Sequence, residues 1–251
     1  MLTILLKLKG IAEEKFEHLR YITNTAAALP VSHIRAFREY FPEVTVYSMY
    51  GLTECKRVSY LPPDMIDTKP SSVGKGMPNE QVYLVDENGR RIDKPHTAGE
   101  LVVRGGNVSR GYWGKPEQTA EILKEGKYPW EKVLYTGDLF EMDEDGYLYF
   151  ISRKDDIIKS RGEKVSPREI ENVLYMLDDV VEAAVTGVPD EILGEAIKVY
   201  IRLADGSKLT DKQILKHCAA NLEDFMVPQL VEIRDALPKT SSGKITKKGI
   251  K

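Results

Sequence analysis

Cysteine is scarce in this chain: Cys55 and Cys218 are the only two, far apart and without partners at metal-ligand spacing. The four histidines, His18, His33, His96 and His217, are equally scattered. A zinc cluster, a Cys/His nucleophile pair and a disulfide framework are therefore not expected, and so few cysteines fit a reducing, cytoplasmic setting. Excess charge of one sign is also lacking, since 36 basic residues face 39 acidic ones for a net charge of −3. General binding to nucleic acid or an acidic membrane needs a sustained basic excess. The one local basic cluster, Lys244, Lys247, Lys248 and Lys251, reads as a solvated end. Long hydrophobic runs are missing too. The apolar start, Met1 to Gly10, is too short to span a bilayer. It has no basic lead-in and no cleavage site of small residues, so it is a poor signal peptide. It reads as a buried strand or helix turn, and an opening in mid-core points to an absent upstream segment. There is no internal repeat and no low-complexity segment.

What is present falls into three textures. Up to about Pro70 the pattern is α/β. Ser32 is placed to cap a helix whose apolar positions are Ile34, Phe37 and Phe41; Pro42 ends it, and Val44–Tyr47 reads as a buried strand. From Val73 to Arg153 the chain is β-rich. Val82–Asp86 runs into Asn88-Gly89, which suits a type I′ turn. Glu100–Arg104 is a further strand, and Leu139–Ile151 suits a hairpin around Asp145-Gly146. One helix is inserted after Pro116, and the many short strands suggest a small barrel or sandwich. From Asp156 onward the pattern is α+β. Ser166–Glu169 and Thr210–Gln213 both read as capping boxes, and strands are expected at Val180–Val188, Ala196–Leu203 and Leu230–Arg234.

Several phosphate- and metal-like patterns fail. Ser241-Ser-Gly-Lys244 ends like a P-loop but has Pro238 where that motif needs glycine. Gly74-Lys-Gly76 lacks the third glycine of a dinucleotide fingerprint. Asp143-Glu-Asp-Gly146 resembles a calcium loop without its bidentate glutamate, and a hairpin turn explains it better.

Four segments remain. Tyr50-Gly-Leu-Thr-Glu54 offers a ring, a flexible glycine, a hydroxyl and a carboxylate after a strand. Tyr135-Thr-Gly-Asp138 places an aspartate after what reads as a glycine turn. Ser152–Gly162 ends a strand in alternating charges, and Pro238–Lys244 is a small-residue loop presenting a lysine. Each alone is equally a turn, a salt bridge or a cap. In this order, with the Gly99–Gly105 and Gly111-Tyr-Trp113 segments between them, they resemble the adenylate-forming superfamily of acyl-CoA synthetases, adenylation domains and luciferases. The resemblance runs from about Tyr21 to Lys251.

The resemblance implies an α/β segment (residues 1–72) and a β-rich subdomain (73–154), together the C-terminal portion of the large AMP-binding domain. A small mobile α+β domain (155–251) follows, hinged at Asp155. It implies an ATP-dependent acid–thiol ligase: a carboxylate and ATP give acyl-AMP and pyrophosphate, and the acyl group then passes to CoA or to a carrier protein's phosphopantetheine. Tyr50 and Gly51 would line the adenine, and Thr53 would bond the α-phosphate. Glu54 would hold Mg²⁺, a cation that prefers oxygen ligands and bridges phosphates. Asp138 would accept the ribose hydroxyls, with Arg153 a second ribose or phosphate contact. Lys244 would be the catalytic lysine that meets both carboxylate and α-phosphate, and Gly162 would line the thiol's tunnel. A small carboxylic acid is the implied substrate, with no nucleic acid and no membrane span.

The departures are specific. The family's Ser/Thr/Gly-rich pyrophosphate loop has no counterpart, nor has the upstream part of the large domain that carries it. Thr25–Pro30 is alanine-rich where many members have glycines. An impaired or inactive isolated chain is therefore expected, and the alternative is a non-catalytic module that binds AMP or acyl-adenylate.

Overall fold

The computed structural model describes residues 2–6, 8–25, 29–240, 243–247 and 249–250. Ala26–Ala28 of the alanine segment, Ser241 and Ser242 of the lysine loop, and Lys248 and Lys251 of the basic end lie outside the described residues. The chain divides into two units, Met1–Phe150 and Ile151–Lys251.

In the first unit the apolar start takes the helical option, as α1 (Leu2–Leu6). Leu2, Leu5 and Leu6 join the core around Ile34, Phe37 and Phe41. Helix α2 (Val31–Tyr40) begins earlier than Ser32 would set it. Its N-cap is Pro30, whose φ of −56° and ψ of 140° turn the chain into the helix without a side-chain cap. Ser32 therefore sits inside the first turn. The helix stops one residue before Phe41, since Pro42 cannot continue the hydrogen-bond ladder. Its apolar face packs with a four-stranded sheet in the order β1 (Tyr21–Asn24), β2 (Thr45–Leu52), β3 (Cys55–Tyr60) and β4 (Lys75–Gly76). β1 and β2 are parallel, and the other pairs are antiparallel.

A second, antiparallel sheet holds β5 (Glu80–Val85), β6 (Arg91–Ile92), β7 (Gly99–Gly105), β8 (Leu123–Glu125), β9 (Lys132–Met142) and β10 (Leu148–Arg153). The order is β10-β9-β7-β5-β6, with β8 also on β9, and α3 (Pro116–Ile122) carries Pro116 at its first position. Leu84, Leu101, Leu134, Phe140 and Leu148 are buried between strands. The β5–β6 connection is not the expected type I′ turn, because Gly89 has positive φ and Asn88 does not. Asp86 decides this: its Oδ1 accepts both the Asn88 and Arg90 amides at 2.8 Å, which fixes a longer Asx-closed loop. The Asp143–Gly146 segment does form the hairpin turn expected of it. Asp143 Oδ1 accepts the Asp145 and Tyr147 amides, and Oδ2 takes the Lys69 ammonium and the Tyr149 hydroxyl, so protein donors fill the carboxylate.

The second unit contains β11 (Ile158–Ser160), β12 (Glu163–Val165), α4 (Pro167–Leu174), β13 (Val180–Asp190), β14 (Gly194–Leu203), α5 (Asp211–Asn221) and β15 (Leu230–Ile233). Its sheet runs β12-β11-β14-β13, with β15 parallel to β14. Strand periodicity gives the sheet two apolar faces. Ala183, Val185, Val199 and Ile201 meet Ile170 and Leu174 of α4 and Ile214 and Cys218 of α5. Ala184 and Tyr200 point the other way and are covered by Leu237, Ile245 and Ile250. The Thr210 capping box forms as expected. The Ser166 box does not, because the Ser166 hydroxyl donates to the Ile151 carbonyl at 2.9 Å instead of accepting from its own helix.

Candidate functional site

Tyr50-Gly-Leu belongs to β2 itself rather than following it, and Thr53-Glu54 form the two-residue turn into β3, between the paired residues Leu52 and Cys55. The register shifts between Tyr50 and Leu52, so Gly51 alone faces the bulged Lys56–Val58 stretch. Arg57 takes the left-handed region there, with φ 69°, and its backbone crowds Gly51: a Cβ on Gly51 would stand 2.5 Å from the Arg57 nitrogen. Glycine is required because another strand's backbone occupies the side-chain position.

Tyr135–Asp138 is likewise not the expected glycine turn. It lies within β9, where Thr136, Gly137 and Asp138 oppose Leu101 alone. Gly137 has φ 69°, and its amide donates to Glu100 Oε1 at 3.0 Å. Thr136 locks the bulge by donating to the Leu101 carbonyl at 2.8 Å while accepting the Asp138 amide at 3.2 Å. The bulge re-aims Asp138, which is 7% exposed, toward the end of β2. There the Tyr50 hydroxyl donates to Asp138 Oδ2 at 2.6 Å. The Tyr50 ring is held edge-on to Phe140, with centroids 4.8 Å apart.

Thr53 is exposed at the turn, and Glu54 is half-buried beside it. The Tyr112 hydroxyl donates to Glu54 Oε1, and the Ser109 amide donates to the Glu54 carbonyl at 2.7 Å. The Tyr112 amide is in turn held by Thr119 Oγ1 at 2.9 Å. Tyr112, Thr136 and Glu100 have roles here that the sequence alone does not reveal. Tyr112 stands in the Gly111-Tyr-Trp113 segment, Thr136 inside Tyr135–Asp138 and Glu100 inside Gly99–Gly105, all segments that carry the resemblance.

The other candidates lie in the second unit. Arg153 is exposed, and its Nε donates to Asp155 Oδ1 at 3.3 Å. Gly162 shares a two-residue turn with Arg161 between the paired residues Ser160 and Glu163. Both have positive φ, 55° and 83°, as a type I′ hairpin requires. Lys244 is exposed near the end of a small hairpin in which Lys239 bridges Ile245 and the Thr240 amide donates to the Lys244 carbonyl at 2.8 Å.

The cysteines are poor nucleophiles. Burial, with the Glu80 charge adding to it, pushes the Cys55 thiol up to about 12, and burial pushes Cys218 up to about 11. Among the described residues no group of three or more His, Cys, Asp or Glu side chains gathers as for a metal. A single carboxylate on a turn, Glu54, beside the Thr53 hydroxyl, suits a cation held mainly by phosphate and water, as Mg²⁺ commonly is. The ring and buried carboxylate of Tyr50 and Asp138 suit the base and sugar of a nucleotide. Among the described residues no helix is long and apolar enough to cross a membrane.

Residues 1–113 match the AMP-binding enzyme family, and residues 169–244 match the AMP-binding enzyme C-terminal domain. A long-chain-fatty-acid–CoA ligase of Yersinia pestis is 39% identical over 246 residues, which are 95% of this chain and 42% of that protein. A 2-succinylbenzoate–CoA ligase of Geobacillus kaustophilus is 37% identical over 210 residues, 83% of this chain and 41% of that protein. Among solved structures, an amide bond synthetase of Marinactinospora thermotolerans superposes with a TM-score of 0.89 at 31% identity, over 99% of this chain and 49% of that one. An O-succinylbenzoate coenzyme A synthetase of Bacillus subtilis, in complex with ATP and magnesium ion, gives 0.85 at 27% identity, over 99% and 49%. The chain thus spans less than half the length of these relatives. It belongs to the adenylate-forming superfamily of AMP-binding enzymes.

Proposed function

We propose that this chain carries the adenosine-binding, metal-carboxylate and lysine-bearing parts of an ATP-dependent acid–thiol ligase. The observation that carries the reading is the 2.6 Å hydrogen bond from Tyr50 to Asp138, which joins two nucleotide-type segments 88 residues apart. The Tyr50 ring, with Gly51 beside it, lines the adenine, and Asp138 accepts from the ribose hydroxyls. Thr53 donates to the α-phosphate. Mg²⁺, when bound, neutralises phosphate charge, and Glu54 is the carboxylate that would hold it. Lys244 is the cation that meets the incoming carboxylate and the α-phosphate in this step and offsets the repulsion of two approaching anions. The products of this step are acyl-AMP and pyrophosphate.

In the second half-reaction the thiol sulfur attacks the acyl carbon and gives up its proton to solvent, the acyl–phosphate bond breaks, and AMP leaves with the bonding electron pair. Asp155 is the hinge about which the small domain moves between the two half-reactions, Gly162 lines the thiol's approach, and Arg153 contacts the ribose or phosphate. CoA is the favoured acceptor over a carrier protein, because similar proteins are named CoA ligases. The substrate class is a small or fatty carboxylic acid. Two free, buried cysteines fit a reducing cytoplasm.

The test is calorimetric titration of this chain with AMP and with an acyl-sulfamoyl adenosine, followed by acid-dependent ATP–pyrophosphate exchange with and without a complementing N-terminal piece. Binding that is lost in Asp138→Ala, with exchange on complementation, supports the ligase. Binding without exchange under either condition assigns a non-catalytic nucleotide module instead. No binding of either ligand removes the adenosine reading.

A further inference from the structure

Helix α4 does more than cover its sheet. Among the described residues β13 pairs only with β14, which leaves the amides of its other edge to be satisfied elsewhere. Glu171 and Tyr175, one helical turn apart, supply the acceptors. The Val185 amide donates to Glu171 Oε1 at 3.0 Å, and the Ala183 amide donates to the Tyr175 hydroxyl at 3.0 Å. Glu171 is thus a fixed carboxylate at the rim of the sheet. Burial pushes its carboxyl above the usual range, and the Lys247 ammonium opposes that, together with the Val185 amide and the Arg168 charge.

Lys247 arrives from the opposite face. It is three residues beyond Lys244, on the stretch that covers Ala184 and Tyr200 through Ile245 and Ile250. Its Nζ stands 3.3 Å from Glu171 Oε1 and 3.9 Å from Asp156 Oδ2, the residue next to the proposed hinge. At the other end of the hairpin, Lys239 Nζ meets Glu182 Oε1 at 2.6 Å, and Arg202 pairs with the same carboxylate at 3.4 Å. Between these two ties, the Gly243 amide donates to the Thr240 carbonyl and the Thr246 amide to the Pro238 carbonyl. The Lys244 side chain is exposed, and its hairpin is anchored on both flanks by charges.

We infer that Lys247 is a positioning residue for Lys244: its ammonium ties the hairpin to the rim carboxylate Glu171 and to Asp156, and so fixes where Lys244 is presented. This rests on the proposed role of Lys244 in acyl-AMP formation. A long cationic side chain loses much rotamer freedom when it is held, so the tie is worth keeping only where its geometry matters.

The experiment pairs amide hydrogen exchange on this chain with single-turnover assays in the full-length ligase. Lys247→Met keeps the stem and removes the charge. Glu171→Gln still accepts the Val185 amide but loses the ionic attraction, so it separates the tie from the edge cap. Both variants should speed exchange at Thr240, Gly243, Lys244 and Thr246 by roughly 1.5- to fivefold, the range of a part-exposed pair, with β13 and α5 amides unchanged. Both should lower the acyl-AMP rate about tenfold without changing the KM for ATP, while thioester formation from supplied acyl-AMP is spared. Lys247→Arg should restore both readings. Wild-type exchange in the hairpin of both variants overturns the proposal, as does faster exchange throughout the unit, which would mean a general structural role. If Lys244→Ala leaves acyl-AMP formation intact, the functional reading fails, and the tie stands or falls on hairpin exchange alone.

Discussion

The Tyr50 hydroxyl donates to Asp138 at 2.6 Å, across 88 residues of chain and between two different sheets. Neither partner sits on a regular stretch of strand. Tyr50 precedes the bulge at Gly51, and Asp138 closes the bulge at Gly137. Two local irregularities converge on one bond, which is how sheets commonly re-aim side chains into a site.

Tyr50→Phe keeps the ring against Phe140 and removes only the donor to a buried carboxylate. A hydrogen bond to a charged group contributes about 1.5–3 kcal/mol to stability, so the variant should be less stable, and AMP affinity should fall because Asp138 is no longer held in place. Asp138→Ala should lose more, because the sugar contact goes as well. Calorimetric titration with AMP separates them; equal, wild-type affinity in both would remove the pair from the nucleotide site.

The same constellation shows what a single sequence can and cannot carry. Tyr50, Glu54 and Asp138 are legible as residue types in ordered segments, but the contact between Tyr50 and Asp138 is not, since nothing local links them. The bulges are hidden for a related reason: a register shift is a property of two strands, and the sequence displays one at a time. Ser166 and Thr210 make the point with identical patterns. Thr210 completes its capping box, whereas Ser166 gives its hydroxyl to Ile151, a partner brought close only by the fold. Asn88-Gly89 fails as a type I′ turn because Asp86, two residues earlier, captures the loop amides. Tyr112 is legible within Gly111-Tyr-Trp113, yet its partner Glu54 lies 58 residues away.

Glu54→Gln preserves an acceptor for Tyr112 and removes the charge proposed to hold Mg²⁺. The thermal midpoint should stay within a few degrees, since a part-exposed carboxylate contributes little to stability. The Mg²⁺ concentration needed for half-maximal acyl-AMP formation should rise at least several-fold in the full-length enzyme. A metal dependence identical to wild type would show that Glu54 is not a ligand.

Gly51→Ala tests the bulge directly. The added methyl would stand 2.5 Å from the Arg57 backbone nitrogen, so the strand must move rather than a side chain. Strain of this kind costs on the order of 1–3 kcal/mol, and the movement would draw Tyr50 away from Asp138. Urea denaturation should show lower stability, and AMP affinity should fall beyond the fraction of protein unfolded. Unchanged stability would mean that the bulge relaxes freely.

Asp143 gives an acid signature. Burial alone would raise its carboxyl, but the Lys69 ammonium, the Tyr147 amide and the Tyr149 hydroxyl hold it below the usual range. A carboxyl depressed in the folded state contributes stability that is fully present above its unfolded value of about 3.9, and that is lost as pH falls through the folded value. Asp143→Asn should therefore be less stable than wild type at pH 7, and the gap should narrow below about pH 4. Urea titrations at neutral and acid pH would show parallel losses instead if the Lys69 contact were immaterial.

Lys244 and Asp155 separate the two half-reactions. Lys244→Ala removes a cation proposed to act only in acyl-AMP formation, and loss of one preorganised donor typically costs about 10²–10³ in rate. Thioester formation from supplied acyl-AMP should persist. Asp155→Pro restricts φ at the proposed hinge and removes the carboxylate that Arg153 contacts at 3.3 Å. It should impair the thiol step more than adenylation, the reverse of the lysine variant. Single-turnover measurement of each step in both variants gives four rates. If either variant slows both steps equally, its residue serves the fold or the nucleotide rather than one conformation, and the division of labour between lysine and hinge fails.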